Sequence, residues 1–354
     1  MIERKRFMTT ATNPQQFIWG MDLSMLKYAE DHGVQYSDAG VFKAPLTIFQ
    51  EHGTNYVRLR LFVNPNGKDG QVNTLAYTLE LAGRVKRAKL AILLDFHYSD
   101  EWADPGRQTM PAEWQGLSHT ELTDRVFTYT RDVMLAFDLA GCLPDTVAIG
   151  NEITNGMMWP AAGPFSAAAS SAPEFDAMAD FLKAGIRAVR ACDPEKSIQI
   201  MLHIDQGGSR DVCRFFFDGV CARDVDFDII GLSYYPFWHG TLSDLAQNLA
   251  FLSDVYEKDI IIVETGHDWN GQEQPCLAFP HTPDGQLDFL MALIHTVAAS
   301  PGGKGIFYWA PEWIMGEHWH GPAWSNVWEN RAMFDRQGNA LPSIHAFEAS
   351  RTWK

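Results

Sequence analysis

The sequence predicts an α/β protein built as a single (β/α)8 TIM barrel, and three observations carry that expectation. Eight short apolar runs rich in β-branched and aromatic residues recur along the whole chain. Segments with helical periodicity lie between them. No low-complexity linker divides the chain: "AAGPFSAAASSAP" (161–173) comes nearest, and it follows the fourth run directly, so it is read as a strand-to-helix loop. Strand then helix, eight times over, favours a closed barrel over an open doubly wound sheet.

In order, "FIWGMDLS" (17–24) is the first strand, with a helix expected over 40–53, and "YVRLRLFV" (56–63) is the second, followed by the periodic "TLAYTLELAGRVKRAK" (74–89). The third strand, "AILLDFHYS" (91–99), precedes a helix over 121–140, and the fourth, "TVAIGNE" (146–152), precedes one over 174–191. "SIQIMLHI" (197–204) and "DIIGLSYY" (228–235) are the fifth and sixth strands, with helices over 209–222 and 243–258. "IIIVETG" (260–266) and "GIFYWAP" (305–311) close the set, with helices over 285–300 and 342–350. Residues 1–16 are expected to be an N-terminal extension and 17–354 the barrel domain.

A chain of 354 residues, 46% of them hydrophobic, is long enough for a large core. The formal charge of -16, from 44 acidic and 28 basic residues, argues against nucleic acid or an anionic membrane as partner, since both repel it. A neutral ligand fits better. Twelve Trp, 10 Tyr and 22 Phe exceed what a core needs, and exposed aromatic faces suit the apolar faces of sugar rings. The five cysteines are odd in number and lack CxxC spacing; Cys213 and Cys221 lie ~12 Å apart along a helix, too far for a bridge. Neither a disulfide framework nor a zinc site is supported. The basic N-terminus "MIERKRFMTTATNP" runs into the first strand without an apolar stretch, so no signal peptide is expected. The expectation is a soluble, intracellular monomer, although a mature secreted form given a new start Met would look the same.

Polar and aromatic residues gather at the C-terminal ends of the strands: Asp22, Arg58 and Arg60, His97 with Tyr98 and Asp100, Asn151 and Glu152, His203 and Asp205, Tyr234 and Tyr235, Glu264, and Trp309. That end of a (β/α)8 barrel carries the active site. Taken singly, a strand-end Glu is more often a salt-bridge partner or helix cap than a catalyst. The arginines could simply neutralise buried acids, and the histidines and tryptophans could belong to the core. Independent structural accidents should not all fall at the same end of the strands, and that weighs for function. Arg58 and Arg60 alternate onto one face and could hold a carboxylate ionised. Glu152 and Glu264, on the fourth and seventh strands, face each other across the barrel mouth, which is the equipment for glycoside hydrolysis. A metal site built from Asp95, His97 and Asp100 is a weaker pattern, because HExxH, EF-hand and phosphate-loop motifs are absent. No metal and no cofactor are expected.

"GNEITNGMMWP" (150–160), "DFHYSDEWADPGRQTMPAEW" (95–114), "YVRLRLFVNP" (56–65), "DIIGLSYYPFW" (228–238), "IIIVETG" and "GIFYWAPEWI" (305–314) resemble the endo-β-1,4-galactanases of glycoside hydrolase family 53, in clan A. The resemblance runs through all eight strands, over about 17–350. It implies a retaining endo-hydrolase of β-1,4-galactan, the side chain of type I arabinogalactan in pectin. It implies Glu152 as acid/base, Glu264 as nucleophile, and Asn151 as partner of the sugar 2-hydroxyl. Tyr235 and an arginine of "RLR" would aim Glu264, Trp309 would floor the central sugar, and His97, Trp102 and Trp159 would line the cleft. Asp22 and His203 are further supporting residues.

The chain departs from the family pattern at "YWAPEW", where the usual motif is "YWEPAW": Ala310 replaces a carboxylate and Glu312 places one nearby. "GMDLSM" stands for "GADVSS", and 267–285 lacks the Asp-rich calcium loop of bacterial members, so no calcium is expected there. Family members are usually secreted. Two alternatives stay open: a clan A glycosidase trimming short galacto-oligosaccharides, and a barrel that binds carbohydrate without cleaving it.

Overall fold

The computed structural model describes residues 17–165, 173–271, 278–316 and 328–350. The expected N-terminal extension, and with it Cys276, lies outside the described residues. Eight parallel strands close a barrel: β1 Ile18–Asp22, β2 Tyr56–Leu61, β3 Ala91–Phe96, β4 Thr146–Ile149, β5 Gln199–Ile204, β6 Ile229–Ser233, β7 Asp259–Glu264 and β8 Gly303–Trp309. Each strand pairs with its neighbours in sequence, and β8 returns to β1 with Asp22 opposite Trp309. The expected fold class is the observed one.

Strand alternation explains how an apolar barrel acquires a polar rim. Ile18, Tyr56, Leu93, Met201 and Ile229 pack with Ala91, Ala148, Ile261, Val263 and Phe307 in the interior. Two or four residues further along the same faces stand Asp22, Arg58, Asp95, His203 and Ser233, every one buried. The interior is filled by large residues facing glycines: a Cβ on Gly20 would meet Phe307 at 2.2 Å, and one on Gly231 the Met201 sulfur at 2.6 Å. The opposite strand faces pack against the helices in one large apolar cluster.

The helices are α1 Leu26–Asp31, α2 Pro45–Glu51, α3 Leu75–Arg87, α4 His119–Leu139, α5 Pro173–Cys192, α6 Arg210–Cys221, α7 Leu242–Tyr256, α8 Pro283–Ala299 and α9 Ala346–Ser350. Capping sets several boundaries. Ser118 and Glu121 form a capping box that starts α4 two residues before the apolar periodicity does, and the capping box of Thr241 with Asp244 starts α7 one residue before. The helix expected over 40–53 is shorter. Ser37–Asp38 and Val41–Phe42 form a small antiparallel ladder turning on Ala39 and Gly40, both in left-handed backbone. Pro45 then holds Ala44 extended and opens the helix. The segment expected as one helix over 342–350 divides into a 3-10 turn, Pro342–His345, and α9. Part of the loop read over 161–173 lies outside the described residues, as α5 begins at Pro173.

Candidate active site

The fourth strand stops earlier than its apolar pattern suggests. Gly150 takes φ 93 and Glu152 φ 46, so the chain leaves β4 in a left-handed turn that aims the Glu152 side chain into the barrel mouth. Gly150 is needed twice over, since a Cβ there would also meet Ile153 at 2.6 Å. A glutamate held in left-handed backbone costs about 1 kcal/mol or more, and such strain clusters at functional sites. Glu264 sits differently. It is the last residue of β7, paired opposite Ser233 across a register shift, and 6% exposed.

Arg58 is the hub between them. Its guanidinium, 1% exposed, donates to Asp22 at 2.7 Å, Asp95 at 2.7 Å and the Asn151 amide oxygen at 2.7 Å, and it pairs with Glu264 at 2.8 Å. Burial would lower its pKa, but the Asp95, Glu264 and Asp22 charges raise it, so it remains a permanent cation. Tyr235 Oη donates to the other Glu264 oxygen at 3.2 Å. Of the two arginines of "RLR", Arg58 therefore holds Glu264. Arg60 instead lies over the Trp102 ring at 4.4 Å and the Trp309 ring at 5.4 Å, with its Nε donating to Asn73.

Glu152 is held by a relay from the neighbouring strands. His203 Nε2 lies 2.9 Å from Ser233 Oγ, which donates to Glu152 Oε1 at 2.6 Å. His203 is fully buried, and burial followed by Arg58 depresses its pKa well below the usual range, so it supplies an N–H without a charge. Asp205, which accepts from Thr154, stands close enough to act on Glu152 electrostatically. Gln108 fixes the turn itself by donating to the Asn151 carbonyl at 2.8 Å and the Glu152 carbonyl at 3.3 Å.

The electrostatics of the two glutamates diverge. Burial, then the Glu264 carboxylate, then Asp205 raise the Glu152 pKa far above that of a free carboxyl. Burial also lifts Glu264, to about 7, even against the pull of Arg58, because Asp22 and Asp95 compete for the same guanidinium. Near neutral pH the first proton therefore belongs to Glu152. Asp95 behaves in the opposite sense: burial pushes it up, but Arg58 and His97 outweigh that and hold it at about 2.

Aromatic walls flank the carboxylates. Trp309, 9% exposed, lies 4.6 Å from Trp328 and 6.2 Å from Trp102 between ring centroids. Tyr235 adds its ring against Trp328, and Trp238, 55% exposed, extends the surface outward beside it. Trp159 follows the Glu152 turn, its backbone N–H donating to Gln108 and its indole to Asn155. His97 is less free than a lining residue would be. It is 3% exposed, with Nε2 3.2 Å from Asp95 and Nδ1 accepting from Ala103.

The metal alternative does not assemble. Asp95 is committed to Arg58 and His97, while Asp100 accepts from the Asn64 and Ala112 backbones on the loop. Glu312 is no substitute for the missing carboxylate at Ala310 either. It is fully buried and accepts from the Met25 backbone at 3.0 Å, bracing the turn after β1, while burial and the Asp22 charge raise its pKa to about 8. Ala310 itself leaves β8 at φ 47.

Two opposed carboxyls, one holding a proton and one against a buried cation, can protonate a leaving oxygen and attack the carbon behind it. The strand-end pattern of the sequence points to both, along with Arg58, Asn151, Tyr235 and Trp309, whereas Ser233, Gln108 and Trp328 emerge only in the structure. Of these three, Ser233 alone has a signal in the sequence, since it shares the inward face of "GLSYY" with Gly231 and Tyr235.

A model of glycosyl hydrolase family 53 matches residues 18–347. A probable arabinogalactan endo-beta-1,4-galactanase A of Neosartorya fischeri is 38% identical over 84% of this chain and 84% of its own length. The arabinogalactan endo-beta-1,4-galactanase of Cellvibrio japonicus is 34% identical over 94% and 91%. Among solved structures, the GH53 catalytic domain of Ignisphaera aggregans superposes with a TM-score of 0.84 at 34% identity, covering 94% of this chain and 95% of that one.

Proposed function

The chain belongs to glycosyl hydrolase family 53, and from that membership we propose that it is a retaining endo-β-1,4-galactanase in which Glu152 is the acid/base and Glu264 the nucleophile. The observation that carries the division of roles is the asymmetry of partners. Arg58 and Tyr235 converge on Glu264, whereas among the described residues the Glu152 carboxyl receives the Ser233 hydroxyl and stands near the negative Glu264 and Asp205.

In the first step Glu264 attacks the anomeric carbon while Glu152 protonates the departing glycosidic oxygen. A covalent glycosyl ester forms on Glu264. Esterification removes the charge that does most, after burial, to raise the Glu152 pKa, so Glu152 becomes a base able to deprotonate the incoming water. The second attack restores the original configuration. Asn151 uses its oxygen on Arg58 and one amide hydrogen on the Ala103 carbonyl, which leaves the second hydrogen for the sugar 2-hydroxyl. Trp309, with Trp102 and Trp328 beside it, offers an apolar floor for the ring.

Incubation with linear β-1,4-galactan, with β-1,4-glucan and β-1,4-mannan as controls, tests the reading. A ladder of galacto-oligosaccharides should appear early on galactan alone, and proton spectroscopy should find the first reducing end in the β configuration. Shortening of short oligomers without any action on the polymer would replace the endo assignment with oligosaccharide trimming. Absence of turnover on every sugar would leave a binding barrel.

Glu152→Ala should lower galactan hydrolysis by about 10²–10⁴-fold, the usual contribution of a positioned acid. The glycosylation step on an activated aryl galactoside, whose leaving group needs no proton, should be nearly spared. Azide should then restore turnover, because it attacks the ester without a base. Equal losses on both substrates would remove Glu152 from the acid role.

A further inference from the structure

A second cluster of ligating side chains lies outside the barrel, between α2 and the C-terminal helix α9. His52 caps α2, His345 ends the 3-10 turn before α9, and Glu348 lies one helical turn beyond it. One ligand atom from each falls within 4.8 Å of the others. His52 Nδ1 is 3.3 Å and His345 Nδ1 3.7 Å from the same oxygen, Glu348 Oε2.

The spacing and the orientation of His52 both point to a shared cation. A tetrahedral zinc-type ion with bonds of ~2.0–2.1 Å places its ligand atoms ~3.3–3.4 Å apart, close to the two separations seen here. His52 Nε2 is 3.1 Å from Asp38 Oδ2, and Asp38 is also paired with Lys43 at 3.5 Å. This is the arrangement in which a carboxylate orients a ligating histidine through its other nitrogen. In a neutral His52 the Nε2 proton goes to Asp38, so Nδ1 turns a lone pair toward the Glu348 carboxylate. Two electron-rich atoms at that distance repel unless a cation lies between them. A metal ion there would engage His345 as well.

We propose that His52, His345 and Glu348 form a binding site for a divalent transition-metal ion of the zinc type, with Asp38 orienting His52 and water completing a tetrahedral shell. The ion would fasten α9 to α2. Phe347 of α9 already packs on Trp19 at 5.4 Å, so the site secures a segment that closes part of the core. None of its residues belongs to the catalytic cleft.

The test is titration of the untagged full-length chain, stripped of metal, with Zn²⁺ and separately with Co²⁺. The expected result is one Zn²⁺ per chain, a Co²⁺ complex with the strong visible absorbance of tetrahedral coordination, and a Tm raised by about 3 °C when Zn²⁺ is a hundredfold above its dissociation constant. His345→Ala and Glu348→Gln, both at exposed positions, should each weaken Zn²⁺ binding by at least ~10-fold while galactan hydrolysis without metal is unchanged. Zn²⁺ affinity equal in parent and both variants, no stoichiometric binding, or a Co²⁺ spectrum of octahedral type would overturn the assignment.

Discussion

Glu264→Gln should lower kcat on galactan by about 10⁴-fold or more, a loss of about 5 kcal/mol in transition-state stabilisation, without unfolding the protein. The amide keeps the shape of the carboxyl: its oxygen still accepts from Arg58 and its nitrogen can donate to Tyr235 Oη, so both contacts of Glu264 have replacements. What disappears is the carboxylate proposed as the nucleophile. Thermal stability should follow from the raised pKa of Glu264. A carboxyl at about 7 in the fold and near 4.5 when free favours the folded state while protonated. That contribution is fully present below about 4.5 and lost as the pH rises through about 7. The glutamine variant lacks the loss, so its Tm should equal the parent's near pH 4 and exceed it at pH 8. Residual activity above a few per cent of the parent would remove Glu264 from the nucleophile role.

The same pair predicts the pH profile. In the parent, kcat/KM should rise with pH through an apparent pKa near 7 as Glu264 ionises, then fall at higher pH as Glu152 loses its proton. Both values belong to the pair. Because the Glu264 charge helps raise Glu152, carbon-13 titration of the Glu264→Gln variant should find Glu152 shifted downward. An unmoved Glu152 would mean that the two carboxyls do not sense each other.

Arg58→Met should cost about 3–5 kcal/mol of stability, because it leaves Asp22, Asp95 and Glu264 together in a buried site without their cation. For a chain of this size that corresponds to a fall in Tm of about 5 °C. The sign with pH is definite. Asp95, held at about 2 beside Arg58, stabilises the fold above about 3.8, a contribution lost as the pH falls through about 2. Without Arg58 the acids are raised instead, so the deficit should be largest near neutral pH and shrink toward pH 4 as they take up protons. Activity should fall with stability, since Asn151 and Glu264 lose their shared anchor. Arg58→Lys should rescue only part of it, as one ammonium cannot reproduce four contacts fixed by a planar fork. A Tm unchanged between pH 4 and pH 8 in Arg58→Met would refute the hub.

The barrel, the order of its strands and the end at which chemistry gathers are all legible in the chain's amino-acid order. Each follows from local regularities: eight apolar runs, helical periods between them, and polar residues at the points where strand alternation meets the loops. It also singled out Glu152 and Glu264, because residues at two strand ends are brought to one mouth by the closure of any such barrel. Tertiary structure decided which neighbour each glutamate has. Arg58 and Arg60 are two positions apart on one face, yet one grips Glu264 and the other stacks on Trp102, a difference set by how β2 lies against β1, β3 and β7. Ser233 looks like an ordinary strand residue until β5, β6 and the left-handed turn at Glu152 bring it into line between His203 and Glu152. Glu312 reads as a displaced active-site acid and proves to brace the turn after β1. The reason is common to all of these. Periodicity along a strand tells which face a residue occupies, whereas a hydrogen bond or a pKa depends on distances across the barrel, and those exist only once all eight strands have closed.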